Sequence, residues 1–201
     1  MFYRSDQPDI PHGLINSCDV PRSIFWITSQ DSDGIANAAP YSFSGAVAYS
    51  PPQVFFSATG LRKSGIEADT VVNVRETGEF VVNFPTYESR DQMNMTSAAV
   101  GPEIDEIELA DLEKVASTLV KPPGIAASPI RLECRLSQVV SLSGKHNTLV
   151  LGEVLGYHIQ GRYLKDGKVD WGAYRPIARM GRADGYTVVD NLFYMQRPGS
   201  G

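Results

Sequence analysis

The sequence predicts a mainly β fold, a barrel rather than a βαβ wrap. Three observations carry this: short β-branched or aromatic runs set off by turn residues, one long stretch of strict period-two alternation, and only a few short helical patterns between them. The chain of 201 residues, 42% hydrophobic and 20% charged, is average for a globular protein and long enough for one sizeable core. A single domain is expected over residues 1–201, with its core over roughly 20–190 and a flexible C-terminal tail.

The elements follow in order. Ser23–Ser29 is apolar on both faces, as in a strand covered on both sides. Asp31–Gly34 is a turn, with Gly34 supplying a positive φ, and Ile35–Phe43 leaves it, so residues 22–43 read as a hairpin. Gln53–Ala58 follows the Pro51–Pro52 break, and Glu79–Phe84 lies between Gly78 and Pro85. In Ile130–Val140, Ile130, Leu132, Cys134 and Leu136 alternate with Arg131, Glu133 and Arg135, which predicts a strand with one wet face and Cys134 as core filler. Asn147–Ile159 is its partner; Glu153 interrupts the apolar face, which fits an ion pair to a neighbouring arginine or a bulge better than a buried functional acid. Helices are expected over Asp69–Gly78, begun by an N-cap and ended by glycine, and over Ser89–Ala99. Pro102–Val115 places its apolar residues near helical phase with five acids on a solvated face.

Composition excludes several function classes. A formal charge of -5 supplies no cationic field for nucleic acid. No apolar run approaches the roughly 18 residues that cross a bilayer, and the first residues lack the build of a signal peptide, so a cytoplasmic location is expected. Cys18 and Cys134, and His12, His146 and His158, are scattered and form no metal motif. The dinucleotide fingerprint G-x-G-x-x-G, the P-loop and G-x-S-x-G are all absent.

What remains is a set of small and hydroxyl-bearing residues: Thr28, Ser29, then Asn37 to Gly45, then Ser57 and Thr59. Small side chains let a flat ligand approach the main chain, and hydroxyls satisfy its edge. Arg62, Lys63 and Ser64, upstream of the helix start at Asp69–Thr70, suit a phosphate monoester. The pattern accommodates an aromatic ring joined to a phosphate, while a hairpin with buried serines has the same residues. Tyr41 and Phe43 read as core aromatics more than as stacking partners.

The ordered series Pro21–Ile27, Asp33–Phe43, Pro51–Ser57, Thr77–Asn83, Met93–Ser97, Ser128–Cys134 and Gly152–Val154 resembles the flavin reductase-like family of FMN-binding split β-barrel proteins. The resemblance implies a Greek-key split β-barrel with a few short helices, a homodimer with FMN near its interface, and NADH or NADPH as electron donor. It places Thr28 and Ser29 at the ribityl chain or ring edge and the turn Pro40, Tyr41, Ser42, Phe43 and Ser44 at the isoalloxazine, and counts Asn37 among the cofactor-binding residues. Ser57 and Thr59 would reach toward the ribityl phosphate, Arg62, Lys63, Ser64 and Thr70 would surround it, and Asn94 would approach from the inserted segment. Two departures stand out: Ala68-Asp69-Thr70 where relatives often have Lys-Asp-Thr, and Ser23 and Phe25 where they often carry Pro and Ala. The implied activity is hydride transfer from NAD(P)H to FMN, with no side-chain acid or base required. Alternatives are an FMN-binding electron carrier without catalysis, or the same barrel holding pyridoxal phosphate or a deazaflavin.

Overall fold

The computed structural model describes residues 2–8, 10, 11, 13–61, 65, 67–181 and 184–199. In chain order these form α1 (Leu14–Cys18), β1 (Phe25–Gln30), β2 (Ala36–Tyr41), β3 (Ser44–Tyr49), β4 (Pro52–Thr59), α2 (Asp69–Thr77), β5 (Glu79–Asn83), α3 (Arg90–Met95) and α4 (Glu106–Leu109). Then come β6 (Lys114–Val115), β7 (Gly124–Ile125), β8 (Ile130–Leu142), β9 (Asn147–Ile159), β10 (Leu164–Lys165), β11 (Lys168–Val169), α5 (Trp171–Tyr174), β12 (Ile177–Arg179) and β13 (Tyr186–Val188).

Seven strands make one sheet in the order β2-β1-β5-β8-β9-β4-β3, and every neighbouring pair is antiparallel. The two edge strands are consecutive in sequence, so the short turn between them draws the sheet's two edges together. Across that closure the Tyr41 ring packs on Phe56 at 4.9 Å, and the Ser23 hydroxyl donates to the Ser44 carbonyl at 2.6 Å. This is the split barrel that the resemblance implies.

The hairpin expected over 22–43 forms, pairing Phe25 with Tyr41 and Ser29 with Asn37. Gly34 has φ 94, and the Asp31 carboxylate accepts the N–H of Asp33 and of Ile35, closing the turn. Strand β1 is covered on both faces because alternate residues feed two cores. Phe25 and Ile27 enter the barrel with Phe56, Phe80 and Cys134, plugged by Val71 and Val74 of α2. Ile24 and Trp26 pack outside it against Met93, Ile107, Ile125 and Ile177. Burial pushes the Cys134 thiol's pKa up, so it stays protonated in the apolar interior.

Several local expectations are corrected. The run 102–115 is not one helix: Asp105 caps only the single turn Glu106–Leu109, Asp111 at φ 52 turns the chain, and Lys114–Val115 pairs as a strand. The second helix spans Arg90–Met95 rather than Ser89–Ala99. Helix α2 starts from Ala68, which makes no side-chain cap, with Asp69 inside its first turn; it ends as expected at Gly78, φ 75. Strand β3 had no signal, because Gly45, Ala46 and Ala48 carry little β-propensity.

Glycine at 152 reflects close approach. A Cβ there would overlap the fully buried Phe80 ring, itself held edge-on by Phe56 at 5.5 Å. Gly152→Ala is expected to lower unfolding free energy by about 1–3 kcal/mol. Adding Phe80→Leu should recover part of that loss, with at least about 0.5 kcal/mol of coupling in a urea-denaturation cycle. Strictly additive effects would refute the contact.

On β8 the face read as wet is only partly so. Arg135 is exposed and pairs with Glu153 at 3.2 Å, but Glu133 is 1% exposed. The 116–123 segment covers it: the Glu133 carboxylate accepts the N–H of Thr118 and Leu119 and meets the His158 ring. Burial opposes its charge, yet the Thr118 N–H, the His158 ring and the Leu119 N–H outweigh it and hold the carboxyl below its ordinary value of 4.5. Because the folded-state value is depressed, this stabilisation is complete above the ordinary value and lost as pH falls through the lower one. Glu133→Gln should therefore cost about 1–3 kcal/mol at neutral pH. It should also flatten the acid limb of stability against pH; parallel limbs in the two proteins would rule the interaction out.

Candidate functional site

Three elements converge on one open cleft of about 270 Å³: the end of β2, helix α3 and the β12–β13 hairpin. The cleft gathers Pro40 and Ser42, expected at a flavin ring, with Asn94, expected to approach from the inserted segment, over Ile24 and Met93. It also brings Arg179 and Tyr186, whose guanidinium and ring stack at 4.5 Å. Neither of those two was legible, since the last forty residues gave no strand signal. Helix α3 is seated by Trp26, whose indole N–H donates to the Thr96 hydroxyl at 2.9 Å. The hairpin is seated by the main-chain pairing of Arg22 with Arg179.

A larger chamber of about 420 Å³ adjoins the cleft and shares Met93, Asn94 and Tyr186 with it. Its floor is apolar, with Ile177 and Val188, and Tyr87 and Arg90 stand at its rim. The guanidinium groups of Arg90 and Arg175 stack on Tyr87 at 4.1 and 4.8 Å. Apolar floor, aromatic walls and a few polar groups suit a planar organic ligand.

A second group of expected residues is gathered elsewhere, in a buried polar network. Asn37 Oδ1 accepts the Thr70 hydroxyl at 2.6 Å and the Ser29 hydroxyl at 3.3 Å. Asn73 donates to Ser29 Oγ at 3.2 Å, and Asn37 Nδ2 donates to both carboxylate oxygens of Glu106 at 2.9 Å. Ser29 and Thr70 are wholly buried and Asn37 is 5% exposed, so these side chains hold the frame together. Glu106, expected on a solvated face, is 1% exposed; only its place one residue after the N-cap Asp105 hinted at an inward turn.

The other expected residues are dispersed. Thr28 is wholly buried and its hydroxyl donates to the Pro123 carbonyl at 2.6 Å. Tyr41 packs against the barrel interior, while Phe43 lies under the Arg22 guanidinium at 5.5 Å. The Ser44 hydroxyl donates to the Tyr41 carbonyl at 2.9 Å, which tightens the turn between the sheet's edges. Ser57 is half-buried on β4, its N–H bound to the Phe43 carbonyl at 2.8 Å, and Thr59 is exposed at the end of that strand. Arg62, Lys63 and Ser64 lie outside the described residues.

The rim of β2 fits a flat ring. It is an edge strand, and its Ala38 N–H points off the sheet to Glu106. By alternation Pro40 presents its carbonyl along the same edge, with no N–H beside it. Ala39 and Pro40, both only half-buried, leave the main chain approachable beyond the Ala38 N–H that Glu106 covers.

Known proteins share this architecture. A protein of Shewanella frigidimarina with a split barrel domain superposes with a TM-score of 0.83 at 21% identity, covering 98% of this chain and 99% of that one. Nitrilotriacetate monooxygenase component B from Bacillus cereus superposes with a TM-score of 0.87 at 29% identity, covering 97% and 100%. In sequence, an uncharacterized protein of Halalkalibacterium halodurans is 33% identical over 189 residues, 92% of this chain and 90% of its own length. The profile of the flavin reductase like domain matches residues 17–177. By that match, which spans most of the chain, the protein belongs to the flavin reductase-like domain family.

Proposed function

We propose that the protein is an FMN-binding oxidoreductase that takes hydride from NADH or NADPH, acting as a homodimer. The observation that carries this reading is the open cleft where Pro40 on the edge of β2 and Ser42 in the turn after it face Asn94 of α3. The isoalloxazine, when bound, supplies the hydride-accepting chemistry itself. The chain's task is then to hold and orient. The Pro40–Ser44 turn offers main-chain groups to the ring's polar edge, and Asn94 approaches from the opposite wall. At the other end, Arg62 and Lys63 would neutralise the phosphate, replacing the lysine that relatives often carry where Ala68 stands. The adjoining chamber, with its apolar floor, keeps one flank of the ring site accessible to an electron donor.

The test is spectroscopic. FMN added to the purified protein should show a shifted and structured visible absorption and quenched fluorescence. Anaerobic addition of NADH, then NADPH, should bleach the bound flavin with one donor preferred. Protein that leaves the FMN spectrum unchanged would overturn the flavin reading. Tight binding without bleaching by either donor would leave an electron carrier and remove the reductase. Sedimentation as a monomer alone would overturn the dimer.

A further inference from the structure

The larger chamber beside the cleft ends at a cationic rim. Tyr87 and Arg90 line it, and the guanidinium groups of Arg90 and Arg175 both lie on the Tyr87 ring. Main chain holds this arrangement: the Tyr87 N–H donates to the Arg175 carbonyl at 3.2 Å, and Thr86 bridges Pro176. Arg175 ends α5 at φ 46 and ψ 58, left-handed backbone that glycine or asparagine adopts at less cost. An arginine is thus kept there against a conformational penalty, and it reaches the Tyr87 ring and, at 3.0 Å, the Glu88 carboxylate. Arg90 pairs with Asp91 at 3.3 Å. Both ion pairs are open to solvent, so they hold weakly and yield to a stronger anion. A guanidinium presents several N–H donors in a planar fork that matches a phosphate, and the ring beneath keeps the fork oriented. The lining's own carboxylates, Asp91 and Asp184, accept hydroxyl or amino donors and repel a phosphate that is not seated on the arginines. Chamber and cleft join at Met93, Asn94 and Tyr186, so a two-part ligand can span them.

We propose that the chamber takes the adenosine half of the electron donor and that Arg90 and Arg175 read a phosphate on its 2′ position, so that NADPH is preferred over NADH. The adenine rests on the apolar floor of Ile177 and Val188, and the 2′-phosphate seats on the two guanidinium groups that Tyr87 carries. The joined compartments then match the two halves of a dinucleotide, the nicotinamide end lying toward the cleft. For that end the proposal rests on the flavin reading above; the rim itself is open to test without flavin.

Calorimetric titration of the full chain, without FMN, with adenosine 2′,5′-bisphosphate and with adenosine 5′-monophosphate tests this. The bisphosphate is expected to bind about 10-fold tighter or more, as for gain of a charged hydrogen bond. Arg175→Gly removes one guanidinium where glycine takes the same φ freely, so the thermal midpoint should fall by less than about 3 °C. The preference for the bisphosphate should nonetheless shrink to less than about 3-fold, and Arg90→Gln should shrink it likewise. In the FMN-loaded protein, Arg175→Gly should raise KM for NADPH about 10-fold and leave KM for NADH within about 3-fold. Equal affinity of the parent for the two nucleotides, or binding of neither, overturns the proposal, as does a preference that survives both substitutions. A lowered midpoint with the preference intact in Arg175→Gly also overturns it, since the arginine then serves folding alone. FMN binding without any 2′-phosphate preference removes the rim's role and leaves the flavin reading standing. A bisphosphate preference in a protein that ignores FMN removes the flavin reading and upholds the rim.

Discussion

Trp26→Ala is expected to lower unfolding free energy by about 3–5 kcal/mol, the range for emptying a fully buried large aromatic site. Trp26 has no exposed surface and sits in the outer core with Met93, Ile107 and Ile177, which come from α3, α4 and β12. Of these, α3 and β12 build the wall of the cleft opposite β2. The indole also donates to Thr96 at the end of α3, whose hydroxyl donates in turn to Met93. Trp26→Phe keeps most of the ring volume and removes only that donor, so it should cost about 1 kcal/mol. Urea denaturation orders the two variants, and FMN titration should show the alanine variant losing more affinity, because Asn94 rides on α3. A Trp26→Ala protein within about 1 kcal/mol of the parent would show that α3 is held by other contacts.

The second large effect is expected at Asn83. This residue is fully buried on β5; its Nδ2 donates to the Trp26 carbonyl at 2.9 Å and to the Thr28 hydroxyl at 3.1 Å, and its Oδ1 accepts the Ile125 N–H at 2.9 Å. It therefore pins the β7 segment onto the outer face of β1. Asn83→Leu strands the Ile125 N–H, worth about 1–3 kcal/mol when left buried and unpaired, and takes the amide donor from the Trp26 carbonyl and the Thr28 hydroxyl. Asn83→Asp preserves the acceptor for Ile125 but sets a carboxylate against the Trp26 carbonyl. Burial and that carbonyl would raise the new group's pKa in the folded state. Its penalty is then full above the raised value and fades as pH falls toward the ordinary aspartate value of about 3.9. Denaturation at several pH values should show the gap between Asn83→Asp and parent closing on acidification. A gap independent of pH would exclude a charged group at that position.

Local signals in the chain reached the strands and their punctuation. Alternating Ile130, Leu132, Cys134 and Leu136 marked the inward face of β8, and those side chains do pack in or against the barrel core. Gly34 and Gly78 marked backbone that only glycine adopts cheaply, and both have positive φ. The order of short motifs reached the family. Of the candidate site, Pro40, Ser42 and Asn94 were legible because they lie in those motifs, and the structure gathers them in one cleft.

The chain's own periodicity determined which residues could face a core and where strands turn. Tertiary structure alone decided which polar residues are buried. Glu106 and Glu133 each sat on what period and spacing marked as a solvated face, and each is covered by a segment distant in sequence. It also decided which later elements close the cleft, since Arg179 and Tyr186 come from short strands without a hydrophobic pattern. The physical reason is range. Hydrophobic period reports how one segment's two faces differ, whereas burial of a carboxylate depends on donors contributed by another segment folding over it.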